Sequence, residues 1–133
     1  MIAVDTSAIV AIVFAEPERA SYRETIRRAN RALISTVSVL EARMVIYGRR
    51  GQRGIIIADD LLKLPVFEII APTESELNAA YGAFVAYGRG SGHPANLNFG
   101  DLFSYALAKV RGIPLLFKGD DFSLTDIQSA AAL

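Results

Sequence analysis

Carboxylates carry most of the chemical potential of this sequence. It has one histidine and no cysteine, against 14 aspartates and glutamates. Five acids fall where strands should end or helices begin. Asp5 follows MIAV, Glu41 ends STVSVLE, Asp101 sits in LNFGD, and Asp120 and Asp121 follow LLFKG. Acids gathered at one place repel one another, and a protein tolerates that where a cation compensates. An all-oxygen ligand set selects a hard ion, so Mg²⁺ or Mn²⁺ is expected rather than Zn²⁺. An acidic metal site with basic surroundings suits a phosphate ester. The ion can activate water and neutralise charge growing on the leaving oxygen. Two ions about 3.5–4 Å apart would serve, as would one ion with a separate general base.

Each acid also has a local explanation. Asp5 and Asp101 could be helix N-caps. Glu41 could close a capping box with Ser38, and Asp126 another with Ser123. Asp120 and Asp121 could be turn residues. Glu41 is the hardest to explain locally, because it lies between Leu40 and Met44, where an unpaired carboxylate is costly. His93 lies in the loop GSGHPAN and is left out of the candidate site. No Ser/His/Asp triad and no phosphate-cradling GxxxxGK[ST] loop is present.

The elements that must position these acids alternate between strand and helix. Residues 1–5, 32–35, 66–71 and 113–117 read as strands. Helices are expected over residues 6–15, from Pro17 to about Ala29, and from Ser35 to about Gly48. Residues 52–64, 73–87 and 101–111 follow as helices, and a short helix precedes an Ala-rich tail. Val37, Leu40, Met44 and Val45 should form one apolar stripe, and Leu77, Ala80, Tyr81, Phe84 and Val85 another. Such alternation predicts an α/β layer fold with a mainly parallel sheet. Its functional crevice should lie beyond the carboxyl ends of the strands. Asp5, Glu41, Asp101 and the Asp120–Asp121 pair then converge on that edge from four separate elements.

Composition narrows the alternatives. The 133 residues suit a single domain over 1–133, and such a chain buries about 68% of its unfolded surface. With 52% hydrophobic residues, disorder is excluded. The lack of cysteine removes disulfides, thiolate metal sites and a cysteine nucleophile. No segment is apolar enough to span a membrane and the start has no basic leader, so a soluble, cytoplasmic protein is expected. Formal net charge is zero, yet residues 19–53 hold nine arginines against Glu24 and Glu41. These are solvated helix faces or a basic rim beside an acidic centre. Tyr47 with Arg43, Arg49 and Arg50 could line a nucleic-acid groove.

Four segments in order, IAVDTSAIVAI, STVSVLE, LNFGDLFSYALAK and PLLFKGDDFSLTDI, resemble the PIN-domain family. The likeness is specifically to the VapC-like toxins of type II toxin–antitoxin systems. It implies a three-layer α/β/α fold around a central, mainly parallel sheet of four to five strands. It also implies a Mg²⁺- or Mn²⁺-dependent endoribonuclease that cuts structured RNA such as tRNA or rRNA. A homodimer inhibited by a VapB-like antitoxin is implied as well. By resemblance Asp5 and Asp101 are core metal ligands and Glu41 completes the acidic site. Asp121 is the fourth acid, with Asp120 in reserve. Thr6 would be a hydroxyl neighbour of the metal and Asp126 a supporting group. Leu102 stands where the family often has cysteine, a change of packing only.

Two other functions compete. A phosphoacceptor receiver domain would use Asp59 or Asp60 after IIIA, with Lys118 after the last strand. Receivers, however, need an adjacent acidic pair after the first strand, where Asp5 stands alone. A non-catalytic module would use the Arg-rich helices to bind RNA or a protein.

Overall fold

Short strands form the centre of the molecule, fully buried except at the edge strand Phe67–Ile70. The computed structural model describes residues 1–132. Strands β1 (Ile2–Val4), β2 (Ala32–Ser35), β3 (Phe67–Ile70) and β4 (Leu115–Leu116) lie in the order β3-β2-β1-β4, and every pairing is parallel. Parallel strands need crossovers, which put helices on both faces. Helices α1 (Thr6–Val13), α2 (Arg19–Arg28) and α3 (Thr36–Leu62) precede β3, and α4 (Glu74–Tyr87) and α5 (Phe99–Arg111) precede β4.

Successive strand residues point to opposite faces. Ile2, Val4, Ala32, Ile34 and Leu116 therefore join one core, with residues of α1, α2 and α3. Ala3, Leu33 and Leu115 join a second core, with residues of α4 and α5. The result is the three-layer α/β/α arrangement around four parallel strands. Among the described residues, no helix is long and apolar enough to cross a membrane.

Most residues of both expected apolar stripes are misplaced, Ala80 being buried as expected. On α3 the buried face is Ser38, Val39, Ala42 and Ile46, while Leu40, Met44 and Val45 are exposed. On α4 the buried residues are Glu76, Ala80 and Ala83, while Leu77, Tyr81, Phe84 and Val85 face outward. Small residues let α4 approach α5 closely, so the alanines take the interface and the larger side chains are left outside. Buried Glu76 is accommodated because it completes the Thr73 capping box and pairs with Arg111 at 2.9 Å.

The helices expected before and after Gly51 both form, and they meet in α3 at a kink where Gly51 takes φ 58° and ψ −151°. That positive φ favours glycine and breaks the helical geometry at the bend. Asp59 and Asp60 lie inside this helix, and Asp59 accepts from Arg43 at 3.1 Å. A receiver domain needs its phosphoacceptor at a strand end, so that reading is overturned. The last helix opens earlier than expected, at Phe99. Asn98 is its N-cap, and Asp101 is the box partner rather than the cap itself.

Candidate active site

Asp5 is the most buried member of the acidic group, 3% exposed, at the carboxyl end of β1. It caps α1: Oδ2 accepts from the Ser7 amide at 3.0 Å and from Ser7 Oγ at 2.6 Å. Its other oxygen, Oδ1, accepts a short hydrogen bond from Ser104 Oγ on α5. Ser104 Oγ also lies 3.2 Å from Ser38 Oγ on α3. A serine has one proton, and Ser104 gives it to Asp5, so Ser38 is the donor in that pair. Ser7 Oγ in turn accepts the Lys118 amide at 2.9 Å. Hydroxyl relays thus tie the Asp5 carboxylate to α1, α3, α5 and the segment after β4. Thr6 Oγ1 donates to the Ser38 carbonyl at 3.0 Å, which pins the starts of α1 and α3 together.

Asp101 enters from α5. Its Oδ2 accepts the Asn98 amide at 2.9 Å, and Asn98 Oδ1 accepts the Asp101 amide at 2.9 Å. Burial pushes its carboxyl up to about 6, and the charges of Asp5, Asp121 and Glu41 push the same way. The Asn98 amide opposes them, because it favours the ionised form. Asp101 therefore feels acids delivered by three other elements.

Glu41 reaches across from α3 to the first turn of α5. A Cβ on Gly100 would stand 2.1 Å from Glu41 Oε2 and 2.6 Å from its Cδ. Only the missing side chain at Gly100 makes room for this carboxylate. The Ser38 capping box does not form, since Ser35 caps α3 and Ser38 is buried inside it. Glu41 has no hydrogen bond or ion pair among the described residues, so no local partner neutralises it. Asp5 and Asp101 stand at helix N-termini, where the backbone dipole favours negative charge.

Asp121 and Asp120 are both exposed after β4. Asp121 acts on Asp101, whereas Asp120 is not among the charges that shift it. The segment carrying them is anchored by Lys118, whose Nζ lies 3.0 Å from Glu16 and 3.1 Å from Glu18. Among the described residues, no three acids or histidines stand in an arrangement that would ligate one ion directly. The donor chemistry nonetheless fits a hard cation. It consists of carboxylate oxygens, crowded enough to raise the proton affinity of Asp101, and Mg²⁺ ordinarily keeps several waters.

Asp126 does not support this group. Its Oδ1 accepts from Tyr105 at 2.6 Å and its Oδ2 from Lys109 at 2.6 Å. Both partners lie further along α5, one and two turns beyond Asp101. His93 accepts the Ala95 amide at Nδ1 and packs edge-on against Tyr87, a loop-shaping role. Arg43 is engaged by Asp59, and Arg49 and Arg50 lie over the Phe14 ring.

Ser7, Ser104 and Gly100 take part in the site but are not singled out by the sequence reading, which names Ser38 only as a capping residue. The available signals are weak. Ser7 stands two residues after Asp5, and Ser104 three after Asp101, on the same side of the helix.

Comparison with known proteins identifies the fold and the family. Residues 2–128 match the PIN domain family model. Ribonuclease VapC30 of Mycobacterium tuberculosis is 41% identical over 128 residues, covering 96% of this chain and 97% of the relative. The crystal structure of Mycobacterium tuberculosis VapC20, described as a Sarcin-Ricin loop cleaving toxin, superposes with a TM-score of 0.77. It is 19% identical, over 96% of each chain. VapBC2 from Rickettsia felis, bound to a DNA fragment from their promoter, gives a TM-score of 0.76 at 18% identity, over 97% of each chain. The chain belongs to the PIN-domain family, within its VapC ribonuclease branch.

Proposed function

We propose that this protein is a Mg²⁺- or Mn²⁺-dependent endoribonuclease, the toxin of a type II toxin–antitoxin pair acting in the cytoplasm. Its substrate class is structured RNA, tRNA or rRNA. One observation carries the reading: Asp5, Glu41 and Asp121 come from three other elements near enough to act on Asp101, and Glu41 fits only because Gly100 has no side chain. Four elements spend stability to hold like charges near one another, which makes sense where a cation is bound. Asp5, Glu41, Asp101 and Asp121 would hold it, with Asp120 outside the set. A bound divalent ion would supply an activated water and neutralise the leaving oxygen. The chain's own part is orientation. Ser7 and Ser104 fix both oxygens of Asp5, and Gly100 leaves space for Glu41.

The similar VapC20 is a Sarcin-Ricin loop cleaving toxin, which supports an RNA of defined shape as substrate. The Rickettsia felis VapBC2 structure supports a VapB-like antitoxin as partner. The exposed apolar side chains of α3 and α4 are surface that such a partner, or a second copy in a homodimer, would cover.

The test is cleavage of total tRNA and rRNA by wild type and Asp101→Asn, with Mg²⁺, with Mn²⁺ and with EDTA. Cleavage should need the ion and disappear in Asp101→Asn while the variant stays folded. Equal cleavage by both proteins, or cleavage in EDTA, would overturn the reading. Binding without cleavage by wild type would favour a non-catalytic RNA-binding module instead.

A further inference from the structure

We propose that Phe99 is a stacking platform for an unpaired nucleobase of the RNA, beside the reacting phosphate. The proposal rests on the ribonuclease reading above. Phe99 is 75% exposed, more than any other large apolar residue among those described. It is the first residue of α5, next to Gly100, whose missing side chain admits Glu41, and two residues before Asp101. Phe99 and Asp101 share the first turn of α5, so a nucleotide flanking a phosphate at the carboxylates would pass alongside that turn.

The ring is held without being covered. It meets Phe103 at 5.2 Å between centroids with planes 69° apart. This contact fixes the ring through its neighbour and leaves it exposed, the arrangement a flat ligand needs. The exposed apolar surface does not continue into the middle of the helix: Leu102 and residues 104–108 are buried. A partner helix reads apolar anchors spread over two or more turns, at i, i+3, i+4 and i+7. A ring at the first turn, flanked by Asn98 and Asp101, suits one aromatic base better than a protein helix. Tyr47 and Tyr81 are also exposed, but neither adjoins a member of the acidic group in the chain.

Stacking is tolerant of base identity because every base has a π-face. It does require that the base be out of a helix stack. The occupant of the ring is therefore an unpaired base, not one held in continuous duplex.

The sequence has no tryptophan, so Phe99→Trp would introduce a unique fluorophore. It should be made on an Asp101→Asn background, with Mg²⁺, and titrated with a short single-stranded RNA and with the same sequence as a duplex. The single strand should quench the indole on binding, and the duplex should not. Fluorescence anisotropy of the labelled single strand should show Phe99→Ala weakening binding about 10-fold, with Phe99→Tyr close to wild type. In the active protein, Phe99→Ala should raise KM more than it lowers kcat. RNA binding seen by anisotropy without indole quenching would overturn the proposal while leaving the ribonuclease reading intact. Unchanged RNA affinity in Phe99→Ala would overturn it too. If affinity is unchanged and that variant alters its sedimentation, the ring is a contact between copies. Cutting of the RNA by the Asp101→Asn background would count against the acidic site, not against stacking.

Discussion

Asp101 and Asp126 both meet α5, at opposite ends, and their surroundings treat them differently. Asp101, in the first turn, is pushed up to about 6 by burial and by three other acids. Asp126 meets the same helix further along, where Lys109 and then Tyr105 hold its carboxyl below the usual range. One is kept in electrostatic conflict and the other is satisfied. Residue type says nothing here, and the neighbours decide. Asp126 has a donor for each oxygen, one of them the cation of Lys109, so its charge is neutralised locally. Asp101 accepts the Asn98 amide but has no cation beside it, and the charges that act on it are all acids.

The sharpest way to break this contrast is Asp101→Asn. Cleavage should fall by at least about 1000-fold if this acid serves the chemistry directly, measured under single-turnover conditions. Without metal, the same variant should be more stable than wild type near pH 7. The sign follows from linkage. The folded protein holds Asp101's proton up to about pH 6, whereas the unfolded chain loses it near pH ~4. Between those values the folded state binds more protons, so stability falls as pH rises. The ceiling is about 3 kcal/mol, lowered by the solvent that reaches this half-buried group. Thermal melts from about pH 4 to 7 should show that slope in wild type and a reduced one in Asp101→Asn.

Gly100→Ala sharpens the same contrast without touching an acid. Its new methyl group would meet Glu41 Oε2 at 2.1 Å, so Glu41 must leave its place. Activity should drop about 100-fold, as expected for a misplaced functional group. The melting temperature should change little, because the flexible Glu41 can move away. Full activity would show that Glu41 is not needed where it stands.

Ser104→Ala should have a smaller effect. It removes the donor to Asp5 Oδ1 and leaves Ser38 without its acceptor. Loss of such a supporting contact ordinarily costs about 10- to 100-fold in metal affinity or activity. Calorimetric titration with Mn²⁺ should show weaker binding, and Ser104→Thr should restore part of it. The smallest effect is expected at the satisfied end. Asp126→Asn should leave cleavage unchanged and cost about 1 kcal/mol of stability, read from denaturant melts. Because Asp126 is held low, its contribution is present above its unfolded value near ~4 and lost as pH falls through its folded one.

Much of this is legible in the sequence, for identifiable reasons. Strand ends and helix starts are local signals, so Asp5 after MIAV and Asp101 beside Asn98 can be placed at one sheet edge. The capping box at Thr73 and Glu76 fits the T-x-x-E pattern and forms. The face of α3 misleads because Leu40 and Met44 are apolar at helical spacing, yet the core is filled by Val39, Ala42 and Ile46. Hydropathy cannot tell a core stripe from an apolar surface awaiting a partner. Ser104 is invisible for another reason. It meets Asp5 across 99 positions of sequence, and a lone serine in an apolar helix looks like filler. The fate of Asp126 likewise depends on Tyr105 and Lys109, which only the folded chain brings to it.

The two cores on opposite sides of the sheet bear on how such an enzyme is made. Asp5 and Glu41 come from the side built by the first half of the chain, while Asp101 and Ser104 come from the side completed late. β4, which leads to Asp121, pairs with β1 only after residue 116 has been synthesised. A chain still emerging from the ribosome therefore lacks the complete acidic group. The group is assembled only when the last strand closes the sheet.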